Sequence, residues 1–179
     1  GYKDFILALG YKGEYIENFF RKKKKKLKIK LVKTGKKTLT GTRLLKLKKL
    51  LSKEENFMLT YGDGLSNQNL DKLVRFHKKH KKIGTMTVVR PPVRFGEVTL
   101  KGKNISTFKE KPQIKSSWIN GGFFVFNKKF FNFLKKNSNE MLERSPLERL
   151  VKKKQLKAFK HNGFWQCIDT PRDKDFIKK

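Results

Sequence analysis

Acidic residues are scarce in this chain. Fifteen Asp and Glu face 46 Lys and Arg among 179 residues, for a net charge of +31. Only six are aspartates, at positions 4, 63, 71, 169, 173 and 175, so carboxylate chemistry has few places to sit. A single cysteine, Cys167, excludes an internal disulfide. The apolar runs are short, such as Phe5 to Leu9 and Phe123 to Phe126. None approaches the ~20 residues that span a bilayer. Nothing reads as a secretory signal. There is no Walker A loop, no GxGxxG, and no Ser/His/Asp or Cys/His constellation. Yet at 36% hydrophobic and 12% aromatic the chain is too apolar for disorder. The expectation is one soluble, cytoplasmic α/β domain spanning residues 1–179.

What abounds is lysine. Of the 46 basic residues 38 are Lys and eight are Arg. Surfaces that read nucleic acid favour Arg, whose planar fork fits phosphates and guanine edges. A lysine excess beside abundant Asn, Phe and Ile reads as solvated surface and compositional bias. Net charge speaks to non-specific binding and not to fold. The rival reading, a basic nucleic-acid-binding domain, needs exposed aromatics beside the lysines or a recognition helix. Most of the 16 Phe fall instead at core-facing periodicity.

Strands and helices alternate through the first half. Phe5 to Leu9 reads as a buried strand ended by Gly10. Tyr15, Ile16, Phe19 and Phe20 recur at helical spacing. Leu27, Ile29 and Leu31 alternate with lysines, as in a half-buried strand. Leu44 to Leu51 predicts an amphipathic helix, Asn56 to Tyr61 a buried strand, Leu70 to His77 a helix and Thr85 to Val89 a strand. This rhythm implies a largely parallel sheet covered by helices. The second half is richer in strands. Gly96 to Leu100 and Ile105 to Phe108 flank a hairpin turn, and Trp118 to Phe126 holds Asn120-Gly121-Gly122. Leu156 to Phe159 and Phe164 to Ile168 predict two more strands. Ser145 and Thr170, each followed by Pro, read as helix N-caps.

Two aspartates stand where ligands bind open α/β sheets. Asp63 follows the strand ending at Tyr61-Gly62, and Asp169 closes the strand Phe164 to Ile168. Together they could share one Mg²⁺, a hard cation that takes one or two carboxylates and leaves room for phosphates. Equally, Asp63 could be a turn residue and Asp169 a charge at a helix N-terminus. Gly62 and Gly64 would allow close approach of a ligand. The glycines after Asn120 suggest close approach by a ligand or another backbone. Lys111, before Pro112, could meet a phosphate, but one lysine among 38 carries little by itself. His77 and His80 are three apart on a predicted helix, with no partner for a metal site. His77 is expected at the edge of the core, His161 in a loop, and Cys167 as a small core residue.

Several stretches coincide, in order, with one family. They are Gly10-Tyr11-Lys12-Gly13, Thr40-Gly41-Thr42-Arg43-Leu44, Tyr61-Gly62-Asp63-Gly64, Arg94-Phe95-Gly96 and Phe108-Lys109-Glu110-Lys111-Pro112. Ile119-Asn120-Gly121-Gly122-Phe123-Phe124-Val125 and Gly163-Phe164-Trp165-Gln166, followed by Asp169-Thr170 and Arg172-Asp173-Lys174, complete the set. The chain resembles the bacterial glucose-1-phosphate cytidylyltransferases, of the sugar-phosphate nucleotidyltransferase superfamily. The resemblance implies a Rossmann-like three-layer α/β sandwich with a mixed, mainly parallel sheet. It implies formation of CDP-glucose and pyrophosphate from CTP and glucose 1-phosphate, with Mg²⁺. By resemblance, Asp63 and Asp169 carry the metal, and Thr38, Arg43 and Gly62 match nucleotide-contacting positions. Lys111 would meet the sugar phosphate, while Gly96, Glu110 and Asn120 would frame the sugar. The parent is expected to be a homo-oligomer that feeds polysaccharide synthesis.

The family's first strand and its glycine-rich Gly-Thr-Arg loop, which would hold nucleotide phosphates with backbone N–H groups, have no match here. Neither do its Lys-Pro segment and C-terminal helical tail. The stretch between Tyr15 and Thr34 is shorter than the family's, and Thr42 replaces a usual Gly. The expectation is a domain incomplete at both ends, missing the sheet's first strand, whose parent catalyses the reaction and which is itself inactive. A sister enzyme using UTP or dTTP is the closer alternative.

Overall fold

The computed structural model describes residues 1–22, 27–90, 96–109 and 117–178. The first elements are β1 (Asp4–Leu9), α1 (Gly13–Lys22), β2 (Lys28–Lys33), α2 (Thr40–Lys46), α3 (Lys48–Leu51), β3 (Asn56–Thr60), β4 (Gly64–Ser66), α4 (Leu70–His80) and β5 (Gly84–Val89). There follow β6 (Glu97–Lys101), β7 (Asn104–Lys109), β8 (Ile119–Asn127), a 3₁₀ segment (Lys128–Phe133), α5 (Ser145–Lys152), β9 (Leu156–His161), β10 (Trp165–Cys167) and α6 (Pro171–Ile177). They fall into two compact units. One takes Gly1–Phe57 and Asn127–Gln155, the other Met58–Phe126 and Leu156–Lys179.

In the first unit, β1 and β2 pair in parallel from Asp4 opposite Lys28 to Leu9 opposite Lys33, with α1 as the crossover. Glu14 lies in the first turn of α1 and Arg21 and Lys22 in its last, each sign matched to the helix dipole. Thr34, 1% exposed, anchors the end of β2. Its N–H and Oγ1 both donate to the Leu9 carbonyl at 2.8 Å. Its own carbonyl accepts from Thr38 Oγ1 and Lys46 Nζ, each at 2.7 Å. Arg43 of α2 donates from one NH to Thr34 Oγ1 at 2.6 Å and to the Leu9 carbonyl at 3.2 Å. Both cations of α2 are thereby tied to the ends of two strands. The core of this unit gathers Leu9, Leu44, Leu147 and Leu150 with a stacked pair, Phe57 on Phe131.

The second unit holds a four-stranded sheet in the order β3-β8-β5-β9. β5 is parallel to β9 and antiparallel to β8. The α/β class and mixed sheet agree with expectation. Phe124 and Phe126 stack with ring centroids 5.4 Å apart and, with Val89 and Leu73, are essentially fully buried. β5 and β8 slip register between Met86 and Val88. A Cβ on Gly121 would press on Val89 Cγ1 and the Thr87 carbonyl, and Gly122 has φ +77. The two glycines therefore serve a bulge against a neighbouring strand.

The structure corrects several expectations. β1 is not a buried strand: Phe5 is 40% exposed. The helical spacing of Tyr15, Ile16 and Phe19 is real, but all three are exposed. So is Phe108 on the β6–β7 hairpin, where every described residue of β7 faces solvent. Periodicity reports an apolar face and cannot say what covers it. Ser145 is the first helical residue of α5, not its cap; Arg144 holds the cap position without a side-chain bond. His161 ends β9 and does not lie in a loop.

His77 is 2% exposed and lies in the core. The hydroxyl of Thr85 on β5 sits 2.9 Å from His77 Nδ1 and 2.7 Å from His80 Nε2. His80 Nδ1 accepts from the Lys82 N–H at 2.9 Å, so its proton is on Nε2 and donates to Thr85. The Thr85 hydroxyl then donates to His77 Nδ1. A second proton on His77 would set a donor against that hydroxyl. Burial, reinforced by the neighbouring His80, pushes the His77 pKa down to about 4. Above pH ~6.5 the ring is neutral in both folded and unfolded chains, and its contribution is complete. As pH falls from ~6.5 towards ~4, the unfolded chain binds a proton that the folded chain refuses, and stability declines, by up to about 3 kcal/mol. Urea midpoints measured from pH 7.5 to 4 should therefore fall in the wild type. They should fall less in His77→Gln, which has no titrating ring.

Candidate active site

The candidate site is built on a three-residue pairing in the second unit. β4 and β10 run antiparallel, with Ser66 opposite Trp165, Leu65 opposite Gln166 and Gly64 opposite Cys167. The ladder continues past both ends. The Ile168 N–H donates to the Asp63 carbonyl at 2.8 Å, and the Asn67 N–H to the Phe164 carbonyl at 3.2 Å. Asp63, just before β4, is thereby set beside Asp169, just after β10. Ligand atoms of Asp63, Cys167 and Asp169 lie within 4.8 Å of one another, with both aspartates exposed and Cys167 half-buried.

Cys167 is not the core residue its alternation suggested. Its Sγ donates to Asp169 Oδ1 at 3.4 Å. Burial pushes the thiol pKa up to about 11, and the bond to Asp169 and the charges of Asp63, Asp169 and Asp173 act the same way. The group is a neutral thiol at physiological pH. The backbone beyond Cys167 is held by α6. Thr170 caps that helix in a reciprocal box with Asp173, as its sequence predicts. Trp165 secures the other side of β10, donating from Nε1 to the Gly121 carbonyl at 2.7 Å.

Two solvent-facing carboxylates so close together suit a hard divalent cation. Their oxygens match its ligand preference, and their exposure leaves coordination positions for phosphate oxygens. Gly62, next to Asp63, has open space where a Cβ would stand. Asn120 lies in β8 of the same unit, its Oδ1 accepting from the Gly122 N–H at 2.9 Å. Gly96 precedes β6. Thr38 and Arg43 belong to the other unit, engaged around Thr34. Glu110 and Lys111 lie outside the described residues. Sequence reasoning missed β4 and the placement of Cys167. The Gly62-Asp63-Gly64 turn signal hid the three-residue strand that follows it.

The high thiol pKa has a kinetic signature. Without added divalent metal at pH 7.5, Cys167 should be alkylated by iodoacetamide about a hundredfold more slowly than a free thiol. Asp169→Asn should speed that reaction by removing one of the charges. Alkylation at the free-thiol rate in the wild type would contradict the placement of Cys167.

Comparison with known proteins gives this corner its context. The family described as nucleotidyl transferase matches residues 3–175. A glucose-1-phosphate cytidylyltransferase of Salmonella typhimurium is 36% identical, over 99% of this chain and 77% of that protein. A probable glucose-1-phosphate cytidylyltransferase of Bacillus subtilis is 38% identical, over 95% of this chain and 74% of that protein. Among solved structures, HddC from Yersinia pseudotuberculosis superposes with a TM-score of 0.73 at 20% identity, covering 98% of this chain and 77% of that one. Matched along nearly its whole length and at these identities, the chain belongs to the nucleotidyl transferase family, in its glucose-1-phosphate cytidylyltransferase branch.

Proposed function

We propose that the protein that carries this sequence transfers the cytidylyl group of CTP to glucose 1-phosphate, releasing CDP-glucose and pyrophosphate. The observation that carries the reading is the meeting of Asp63 and Asp169 in a chain with only six aspartates. The names of its relatives supply the substrates. A phosphate oxygen of glucose 1-phosphate attacks the α-phosphorus of CTP. A new P–O bond forms as the bond from the α-phosphorus to the bridging oxygen breaks, and pyrophosphate leaves with that oxygen. Such chemistry needs positioning and neutralisation of charge more than a nucleophile from the protein.

Enzymes of this family generally use a divalent metal. Here Asp63 and Asp169 would hold it, and we take it to be Mg²⁺, which would neutralise charge gathering on the nucleotide phosphates. The neutral thiol of Cys167 adds no charge to compete with substrate phosphates. Gly62, which leaves open space, would let the nucleotide approach. Lys111 would balance the phosphate of glucose 1-phosphate, while Gly96, Glu110 and Asn120 would frame the sugar. The exposed Tyr15, Ile16 and Phe19 support a homo-oligomer. Among the described residues no helix is long and apolar enough to cross a membrane. A cytoplasmic location goes with the substrates.

The test is pyrophosphate release by the protein that carries this sequence, with glucose 1-phosphate and CTP, UTP or dTTP in turn. CTP should give the highest kcat/KM. Asp63→Asn and Asp169→Asn should each lower kcat about a hundredfold or more at saturating CTP. Higher kcat/KM with UTP or dTTP would transfer the chain to a sister specificity. Near-normal turnover in both variants would remove the metal role from the two aspartates. Sequence-selective DNA binding that survives high salt, without pyrophosphate release, would favour the nucleic-acid reading.

A further inference from the structure

Asp173 stands one turn into α6, four residues beyond Asp169. Its carboxylate collects more donors than a helix cap requires. Oδ2 accepts from the Thr170 N–H at 2.9 Å and the Thr170 hydroxyl at 2.8 Å. With the Asp173 N–H on Thr170 Oγ1 at 3.2 Å, those contacts account for the capping box. Two further bonds do not. The same Oδ2 accepts from the Asp169 N–H at 3.2 Å, and Oδ1 accepts from Gln166 Nε2 at 3.3 Å. Gln166 Nε2 also donates to the Cys167 carbonyl at 2.9 Å. Neither Asp169 nor Gln166 is a residue of α6. These bonds run backwards, from the helix into β10 and the segment that leaves it.

We propose that Asp173 is a positioning residue for metal binding: its carboxylate fixes the backbone at Asp169, so that the Asp169 side chain meets Asp63 across the β4–β10 pair. This rests on the reading of Asp63 and Asp169 as the metal pair. Asp169 is exposed, and a short exposed segment has little packing to hold it. Hydrogen bonds to an ionised carboxylate are the stronger kind, and Asp173 places one on the peptide that carries the ligand. A site assembled before the cation arrives loses less entropy on binding. Groups that orient metal ligands from behind typically change metal affinity by about 10–100-fold when removed. Asp173 also puts a third carboxylate near two others, at a cost in repulsion that a simple cap would not need.

The experiment measures Mn²⁺ affinity directly, from the paramagnetic resonance signal of the free ion, with melting temperature alongside. It uses the whole chain and needs no turnover. Asp173→Ala should weaken Mn²⁺ binding about 10–100-fold. Thr170→Ala removes the cap hydroxyl but leaves the bonds from Asp173 to the Asp169 and Thr170 N–H groups. It should lower the melting temperature and hold Mn²⁺ affinity within about twofold of wild type. Asp175→Asn removes a nearby exposed charge and should also stay within about twofold. Wild-type affinity in Asp173→Ala overturns the proposal, as does equal weakening by Thr170→Ala or Asp175→Asn. If Asp173→Ala does not fold, Asp173→Asn takes its place. Its amide offers one acceptor where Asp173 uses two, so weakening beyond about twofold supports the proposal and unchanged affinity overturns it. Asp63→Asn separates the two readings. If it abolishes Mn²⁺ binding while Asp173→Ala does not, only the positioning role falls. If neither it nor Asp169→Asn affects binding, the metal pair falls, and the proposal with it.

Discussion

Asp63 and Asp169 meet because β4 pairs with β10, and that pairing is only three residues long. Its register sets Gly64 opposite Cys167, and the Ile168 N–H extends it to the Asp63 carbonyl. Slipping a strand by one residue turns every side chain to the opposite face. A one-residue slip here would carry one aspartate away from the other. The register is therefore held from outside the pair. Trp165 is tied to the Gly121 carbonyl, and the segment after Cys167 is tied to the start of α6. The bulge that accommodates Gly121 and Gly122 is part of the same arrangement, since it presents the carbonyl that Trp165 needs.

Charge is handled differently in the two units. In a chain of +31, the first unit ties two cations, the half-buried Arg43 and the exposed Lys46, to the Thr34 hydroxyl and to strand-end carbonyls. Arg149 likewise meets Glu140 at 2.9 Å. The second unit concentrates half of the chain's aspartates, Asp63, Asp169 and Asp173, around one turn. A local negative corner in a positive chain favours a cation over an anion.

The alternation of Ile29 and Leu31 with lysines, the apolar block of β8 and the cap signature Thr170-Pro171 were legible because each is a local property, although Leu27 falls just before β2 and is exposed. Each depends on spacing or on one side chain bonding its own backbone. One local signature failed, the Ser145 cap, which proved to be the first helical residue; the other failures were set by a neighbour. Phe5, Tyr15 and Phe19 carry core-like periodicity and are exposed, since spacing records a face and not its covering. Cys167 alternates as a core residue would, yet its thiol points to Asp169, because the strand it faces is β4. Asn120-Gly121-Gly122 announced a close approach, and the partner in the fold is the adjacent strand with its bulge.

By itself the sequence determined the class of fold, the candidate carboxylates and the family, because strand and helix periodicity, aspartate scarcity and ordered motifs are all written along one dimension. Only the tertiary structure decided that Asp63 and Asp169 are neighbours and that the Cys167 thiol lies within 4.8 Å of both. Those facts depend on which strand pairs with which, and in what register. The hydrogen bonds that fix such a pairing join residues far apart in the chain, and no local spacing records them.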